Sequence, residues 1–505
     1  MNGMAAAPPL PDMIDVLNRT KGMDEQGGLR DYARRWLAWG PGARARVAAE
    51  ASALARPSLR PASIAAVGRT GAKLGRGARA AAPGIRGDVR RFRAGTLEKG
   101  AAIKHVQELV KAGGSTYVKL GQFIATAQGL LPDEWVEAFG WCRDTVTPLP
   151  PGMAESRFEE TFEVPLESML LDFDPTPLGA ASIGQVHAAR LPDGTEVVVK
   201  IRRPGLREQF DTDLRSMALA AAAAERASKS ARVANLSGFV ELFAQLVLEE
   251  IDFRFEALNQ IELALASEDA GHDFATFPRP IPHLTSEDVL VMTRVPGVRY
   301  TDALEAYPDK VDGERLLRLA TTGVLEHTIA YGVFHGDLHA GNVLVNPDGD
   351  FSLIDFGIAG RLNAEQRAAA VRFLFGFARN DTKLQLQGMQ QFGAIPAGAD
   401  LDALAKEMEA NLNEIDPSLL ARDRELTVDK LGQALGAIIR TLASNGFRLP
   451  KELVLFFKNL LYLNGFAAAL APDTNLFGEI EPIFEYFLSR YPAELSAIVA
   501  DVVAG

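Results

Sequence analysis

The segment HGDLHAGNVLV, residues 335–345, sets Asp337 and Asn342 five residues apart, and LIDFGIAG, residues 353–360, places Asp355 thirteen residues after Asn342. Asp355 and Asn342 offer a carboxylate and an amide carbonyl, hard oxygen donors of the type that hold Mg2+ while it bridges phosphate oxygens. A second carboxylate, Asp337, is then available to orient an incoming hydroxyl and to accept its proton. Alone, any one of the three would be read as a turn cap or the start of a loop. Together, in this order, they point to phosphoryl transfer, which depends on positioning and charge neutralisation.

The Asp337–Asn342 separation is that of the protein-kinase catalytic loop, and Asp355 opens a DFG triplet. Such chemistry needs a cation on the α/β-phosphates, and Lys200 ends the strand-like run TEVVVK in the manner of the kinase VAIK strand. A helix glutamate must hold that lysine. LEEIDFRFEALNQ offers Glu249, Glu250, Asp252 and Glu256, and Glu256 is the expected partner, 56 residues after Lys200. The hairpin before Lys200 carries GAASIG: Gly179, Ala180, Ala181, Ser182, Ile183 and Gly184. It reads as a nucleotide-binding flap in which Ala181 replaces a central glycine. The added Cβ restricts how closely backbone N–H groups approach phosphate.

The elements that must position these residues follow from periodicity. AAIKHVQELVKAGG and STYVKLGQFIATAQGLL read as helices broken at Gly113-Gly114, and prolines 148, 150 and 151 close that unit. SMLLDFD, IGQVHAARL and TEVVVKIRR read as strands, the last two joined by a Pro-Asp-Gly turn at 192–194. Residues 212–263 read as mostly helical, VLVMTRV as a strand, and the chain beyond Glu314 as helical apart from a hairpin around Asn346–Gly349. The fold class is α+β: a bilobal, protein-kinase-like fold with a helical N-terminal extension and a basic, partly disordered N-terminal arm. The expected division is an arm at 1–95, the extension at 96–165, an N-lobe with a helical insertion at 166–300, and a helical C-lobe at 301–505.

Composition narrows the class. With 47% hydrophobic and 23% charged residues, 505 residues form a folded chain of more than one unit. The net charge of -12 does not suit a general nucleic-acid binder. Residues 28–105 nevertheless carry 17 Lys and Arg against four acidic residues, a local +13 that leaves -25 on the rest. Within them DYARRWLAW and ARARVAAEASALA could form short amphipathic helices, but the segment, with its Ala-, Gly-, Arg- and Pro-rich middle, reads as a solvated tail, with attraction to an anionic membrane as the functional alternative. A single cysteine, Cys142, excludes an intrachain disulfide. The start lacks a secretory pattern. The most apolar stretch, Leu453–Leu470, is interrupted by Lys458, Asn459 and Asn464. The expectation is a cytoplasmic protein, at most peripheral to a membrane.

LGAASIGQVHAA, VVVKIRRPG, EEIDFRFEALN, HGDLHAGNVLV, LIDFGIAG and YVKLGQ together resemble the UbiB-type (aarF-domain) atypical kinases over roughly residues 101–477. The resemblance implies a kinase-like fold that binds ATP or ADP with Mg2+ and supports ubiquinone or related isoprenoid-lipid metabolism. It implies that Lys119 and Gln122, in the Lys-x-Gly-Gln element, occlude the protein-substrate position as regulatory residues, paired with Glu250 and Asp252. The expected activity is that of an atypical kinase or ATPase, with an isoprenoid lipid or quinone precursor as partner. The alternatives are a small-molecule phosphotransferase of the aminoglycoside or choline kinase type, whose loops also read HGDLHxGN, and a nucleotide-sensing scaffold without catalysis. Ordinary protein kinase activity fits least well with an occluding helix.

Overall fold

The computed structural model describes residues 9–23, 28–58, 68–70, 101–125, 133–143, 148–227, 235–420, 428–447, 449–471 and 476–492. They fall into two compact units. The first comprises the described residues of Met1–Pro41, Phe255–Pro282 and Arg294–Gly505; the second comprises those of Gly42–Arg254 and His283–Thr293. The strands, in chain order, are β1 (Gly179–Ala180), β2 (Gly184–Arg190), β3 (Glu196–Arg202), β4 (Ala275–Thr276), β5 (Pro280–Thr285), β6 (Val289–Thr293), β7 (Val298–Arg299), β8 (Val333–His335), β9 (Val343–Val345), β10 (Phe351–Leu353) and β11 (Ala359–Arg361).

The second unit is built on a five-stranded sheet of order β1-β2-β3-β6-β5. Its central strand β3 is rich in β-branched residues, and Val197, Val199 and Ile201 are fully buried. The β2–β3 hairpin turns at Gly194, whose φ of +91° suits glycine. SMLLDFD, expected as a strand, is instead a short 3-10 turn, Leu166–Ser168, followed by a single bridge between Leu171 and Arg190. Leu171 and Arg190 exchange both backbone bonds there, and Asp174 N–H adds one to the Ala188 carbonyl at 2.9 Å, too irregular a pairing to continue as a strand. Helices Leu206–Ala227 and Leu236–Glu250 follow β3. The buried Asp213 carboxylate accepts from Thr70 at 3.1 Å and from Thr116 at 2.7 Å, tying the Ser115–Ala125 helix to Leu206–Ala227.

The first unit is mainly helical, with two small sheets of order β4-β10-β9-β7 and β11-β8. Helix Gly313–Glu326 starts at Asp312, whose side chain accepts from Arg315 N–H, and Ala364–Ala378 starts at a reciprocal Asn363/Gln366 capping box. Helix Lys451–Leu470 follows Pro450. By length and composition it is apolar enough to cross a membrane, with a mean hydropathy of 1.6, yet 67% of that window is buried within the protein.

The expected solvated arm is corrected over its first part. Residues Leu29–Ala55 form one 27-residue helix that includes Pro41. Leu29, Ala33 and Leu37 are buried in the same core as Leu258, Ile261 and Leu265. Trp36 and Trp39 lie against this core, and Trp39 packs at 5.0 Å on Phe255. The apolar stripe at helical spacing, 29-33-37, buries one long helix where two short ones or a solvated tail were expected. The rest of the basic segment, at 59–67 and 71–100, lies outside the described residues, so the membrane-arm reading falls there.

Two outcomes follow. Leu37→Ala should lower stability by about 2–3 kcal/mol in urea unfolding, as for a core leucine; a loss under about 0.5 kcal/mol, normal for a surface site, would contradict the packing. Burial, with His272 beside it, pushes the His327 imidazole from 6.5 down to about 3. Between those values only the unfolded chain takes up the proton. Stability is therefore complete above about pH 6.5 and falls by about 1.4 kcal/mol per pH unit below it, until pH 3. His327→Gln should flatten that slope; an unchanged slope would contradict it.

Candidate functional site

In the first unit, strand β8 delivers the HGDLHAGN loop. Its partner β11 pairs Ala359 with His335, so the segment after Asp355 runs back alongside HGD. Gly336 sits where Ile358 passes, and a Cβ there would lie 2.6 Å from Ile358 Cγ2 and 3.0 Å from its carbonyl oxygen. Only glycine lets the two motifs approach this closely. His335 then joins them. The Asp337 N–H donates to its Nδ1 at 3.1 Å, so Nε2 carries the proton and donates to the Asp355 carbonyl. Burial pushes this imidazole below the ordinary histidine value, against the pull of Asp337, which keeps it neutral in that role.

Asn342 Nδ2 donates to the Asp337 carbonyl at 2.9 Å. That commits the amide nitrogen and leaves the side-chain oxygen as the end that could meet a cation. The Ile354 N–H donates to the Asn342 carbonyl at 3.1 Å, bringing the residue before Asp355 beside Asn342. Asp355 Oδ1 accepts from Gly357 N–H at 3.0 Å. Among the described residues no group of three or more His, Cys, Asp and Glu is arranged to hold a metal by itself. One carboxylate and one amide oxygen suit Mg2+, which keeps waters and takes its remaining ligands from substrate phosphates.

Asp337 is held from another element. Its Oδ1 accepts from Lys458 Nζ at 2.8 Å and from Tyr462 OH at 2.5 Å, both on helix Lys451–Leu470. Its Oδ2 lies 4.0 Å from His339 Nε2. Burial pushes the carboxyl up, but the Lys458 charge, His339 and the two hydrogen bonds outweigh it and hold the group well below the usual carboxylate range. Glu256 also belongs to this unit and is buried, 1% exposed, on helix Phe253–Asp269. Near the DFG segment, Asn259 donates to the Phe356 carbonyl at 2.6 Å, and Arg361 is held by Glu262 and Asn259.

In the second unit, Lys200 lies mid-sheet on β3, between Val186 of β2 and Leu290 of β6, and is buried. Its Nζ stands 5.4 Å from the centre of the Phe253 ring. The flap folds as a hairpin: Gly179 and Ala180 form β1, Gly184 opens β2, and Ala181 N–H donates to the Gly184 carbonyl at 2.7 Å. Ser182 and Ile183, at its tip, are buried. Ser182 donates to Gln122 Oε1 at 2.9 Å, while Gln122 Nε2 donates to the Cys142 carbonyl at 3.0 Å. Gly121 makes this possible, because a Cβ there would lie 2.4 Å from the Cys142 sulfur. Lys119 is ion-paired with Glu250. Asp252, expected beside it as a second partner of the extension, is instead taken by Arg254 at 2.7 Å, two residues away on the turn into the next helix.

Sequence reasoning did not single out Lys458, Tyr462, Asp213 or the linking role of His335. The signal for Lys458 was its position, a lysine inside a helix apolar enough to cross a membrane.

The model of the ABC1 atypical kinase-like domain matches residues 142–389. An uncharacterized aarF domain-containing protein kinase of Arabidopsis thaliana, described as chloroplastic, is 33% identical over 392 residues, covering 74% of this chain and 72% of that protein. A probable protein kinase UbiB of Pseudomonas putida is 31% identical over 401 residues, covering 78% of this chain and 72% of that protein. Among solved structures, the complex of Rv3197 with erythromycin from Mycobacterium tuberculosis aligns at 21% identity over 70% of this chain and 91% of that one, with a TM-score of 0.42.

The Lys119–Glu250 pair carries its own test. Removing one partner of a largely buried pair strands the other charge, so Lys119→Met should lower the unfolding midpoint by the equivalent of roughly 3 kcal/mol. Adding Glu250→Gln should recover most of that loss, and a double variant as unstable as the two losses summed would contradict the pairing.

Proposed function

The chain belongs to the ABC1 (aarF/UbiB-type) atypical kinase-like family, its fold is kinase-like, and on that basis we propose that it is an ATP- and Mg2+-dependent phosphotransferase or ATPase. The observation that carries this reading is the fixed geometry around Asp337. Its carboxylate is held ionised and oriented, with Asn342 and Asp355 gathered beside it by Ile354 and His335.

Asp337 orients the acceptor oxygen and receives its proton. In the second unit, Lys200 is assigned to the α/β-phosphates and the Gly179–Gly184 flap to covering them through backbone N–H groups. Bound at Asn342 and Asp355, Mg2+ would neutralise charge developing on the transferred phosphoryl group. The UbiB-named relatives support a role in isoprenoid quinone metabolism of the ubiquinone type, with a quinone precursor or isoprenoid lipid as partner. The bonds from Gln122 to Ser182 and from Lys119 to Glu250 favour this over an aminoglycoside- or choline-type phosphotransferase, which has no need of that extension. The +13 basic segment supports peripheral contact with an anionic membrane.

Titration with a fluorescent ATP analogue tests the metal assignment. Wild type should bind more tightly with Mg2+ than with EDTA, and Asp355→Asn should lose that Mg2+ dependence. Identical Mg2+ dependence in both proteins would remove Asp355 from the metal site.

A further inference from the structure

We propose that Lys458, with Tyr462, is the positioning group of the catalytic carboxylate: the pair occupies one oxygen of Asp337 so that the other faces the phosphoryl acceptor. This rests on the phosphoryl-transfer reading and adds to it a cation delivered from 121 residues downstream.

Protein kinases carry a lysine two residues after the catalytic aspartate; here that position is His339, with Nε2 at 4.0 Å, beyond hydrogen-bond distance. Lys458 supplies a permanent charge from another element. Its Nζ lies 2.8 Å from Oδ1, and its side chain is 7% exposed. Tyr462, one helical turn on and therefore on the same face, donates to the same oxygen at 2.5 Å. An ammonium inside an apolar helix carries a large desolvation penalty unless an anion meets it, so this lysine is no surface ornament. Asn342 Nδ2 meanwhile fixes the backbone carbonyl of Asp337. With the carbonyl and Oδ1 both engaged, Oδ2 is the oxygen presented for chemistry.

The step balances as follows. The acceptor oxygen, from water or a hydroxyl, forms a bond to the γ-phosphorus. The bond from that phosphorus to its bridging oxygen breaks, and the electron pair leaves with the nucleoside diphosphate. The acceptor proton passes to Oδ2 and then to solvent. Lys458 keeps its proton throughout and holds the carboxylate in place.

The test uses the full chain and Mg2+-ATP, measuring affinity, kcat for hydrolysis and thermal unfolding for wild type, Lys458→Met, Lys458→Arg and Tyr462→Phe. Lys458→Met should lower kcat by roughly 10²-fold at unchanged nucleotide affinity, with Lys458→Arg recovering part of the loss. Thermal unfolding of Asp337→Asn/Lys458→Met should show less than additive losses. Three results would overturn the proposal: wild-type kcat in Lys458→Met, a kcat that rises and marks Lys458 as a plug, or no rescue by arginine while affinity and stability fall together. Should Lys458→Met not fold, Tyr462→Phe decides: reduced kcat at unchanged affinity supports the assignment and unchanged kcat overturns it. A wild type that binds but never hydrolyses ATP would overturn the ATPase reading and this inference with it, whereas an active wild type with an equally active Lys458→Met overturns this inference alone.

Discussion

A single carboxylate, its side chain 20% exposed, ties a core helix to the HGDLHAGN loop of the first unit. Asp337 is an anion placed where water is scarce, and such a group is tolerable only when donors replace its hydration. Lys458 and Tyr462 supply two of them on one oxygen. The consequence runs in both directions: the helix Lys451–Leu470 is registered against the HGDLHAGN loop by its one buried lysine, and the loop is held by the helix.

That constraint also resolves the odd composition of Lys451–Leu470. On hydropathy alone the helix could cross a membrane. Its apolar residues Leu453, Phe456, Phe457, Leu460 and Leu463 are buried within the unit, and Lys458 points into the site. Phe466 stacks on Tyr300 at 4.1 Å, extending the same packing toward β9 and β10. The helix thus joins the core that supports the hairpin carrying Asn342 to the charge that holds Asp337. In the second unit Asp213 has the corresponding structural part, fixing the extension that presents Lys119 and Gln122.

How much of this was legible beforehand depended on sequence distance. Asp337, Asn342 and Asp355 are close in sequence and of distinctive types, and the β2–β3 hairpin announces itself by alternation and a Pro-Asp-Gly turn. Lys458 gave no such warning, because its partner lies 121 residues away and a lysine in an apolar run is easily read as an interruption. Asp252 was misjudged for the opposite reason: an arginine two residues on competes for it locally. Leu29–Ala55 was obscured by its charge, since a basic helix can still bury a narrow apolar stripe. Composition averages over faces, and only the fold shows which face is covered.

Steady-state hydrolysis of Mg2+-ATP by Asp337→Asn is the most direct measure of whether this carboxylate serves catalysis. The substitution keeps the shape and a hydrogen-bonding oxygen while removing the charge and the proton acceptor. Turnover lower by roughly 10²-fold or more, with nucleotide binding retained, is the predicted result. Turnover equal to that of the wild type would mean that Asp337, however firmly held, is a structural anion and that the chemistry lies elsewhere.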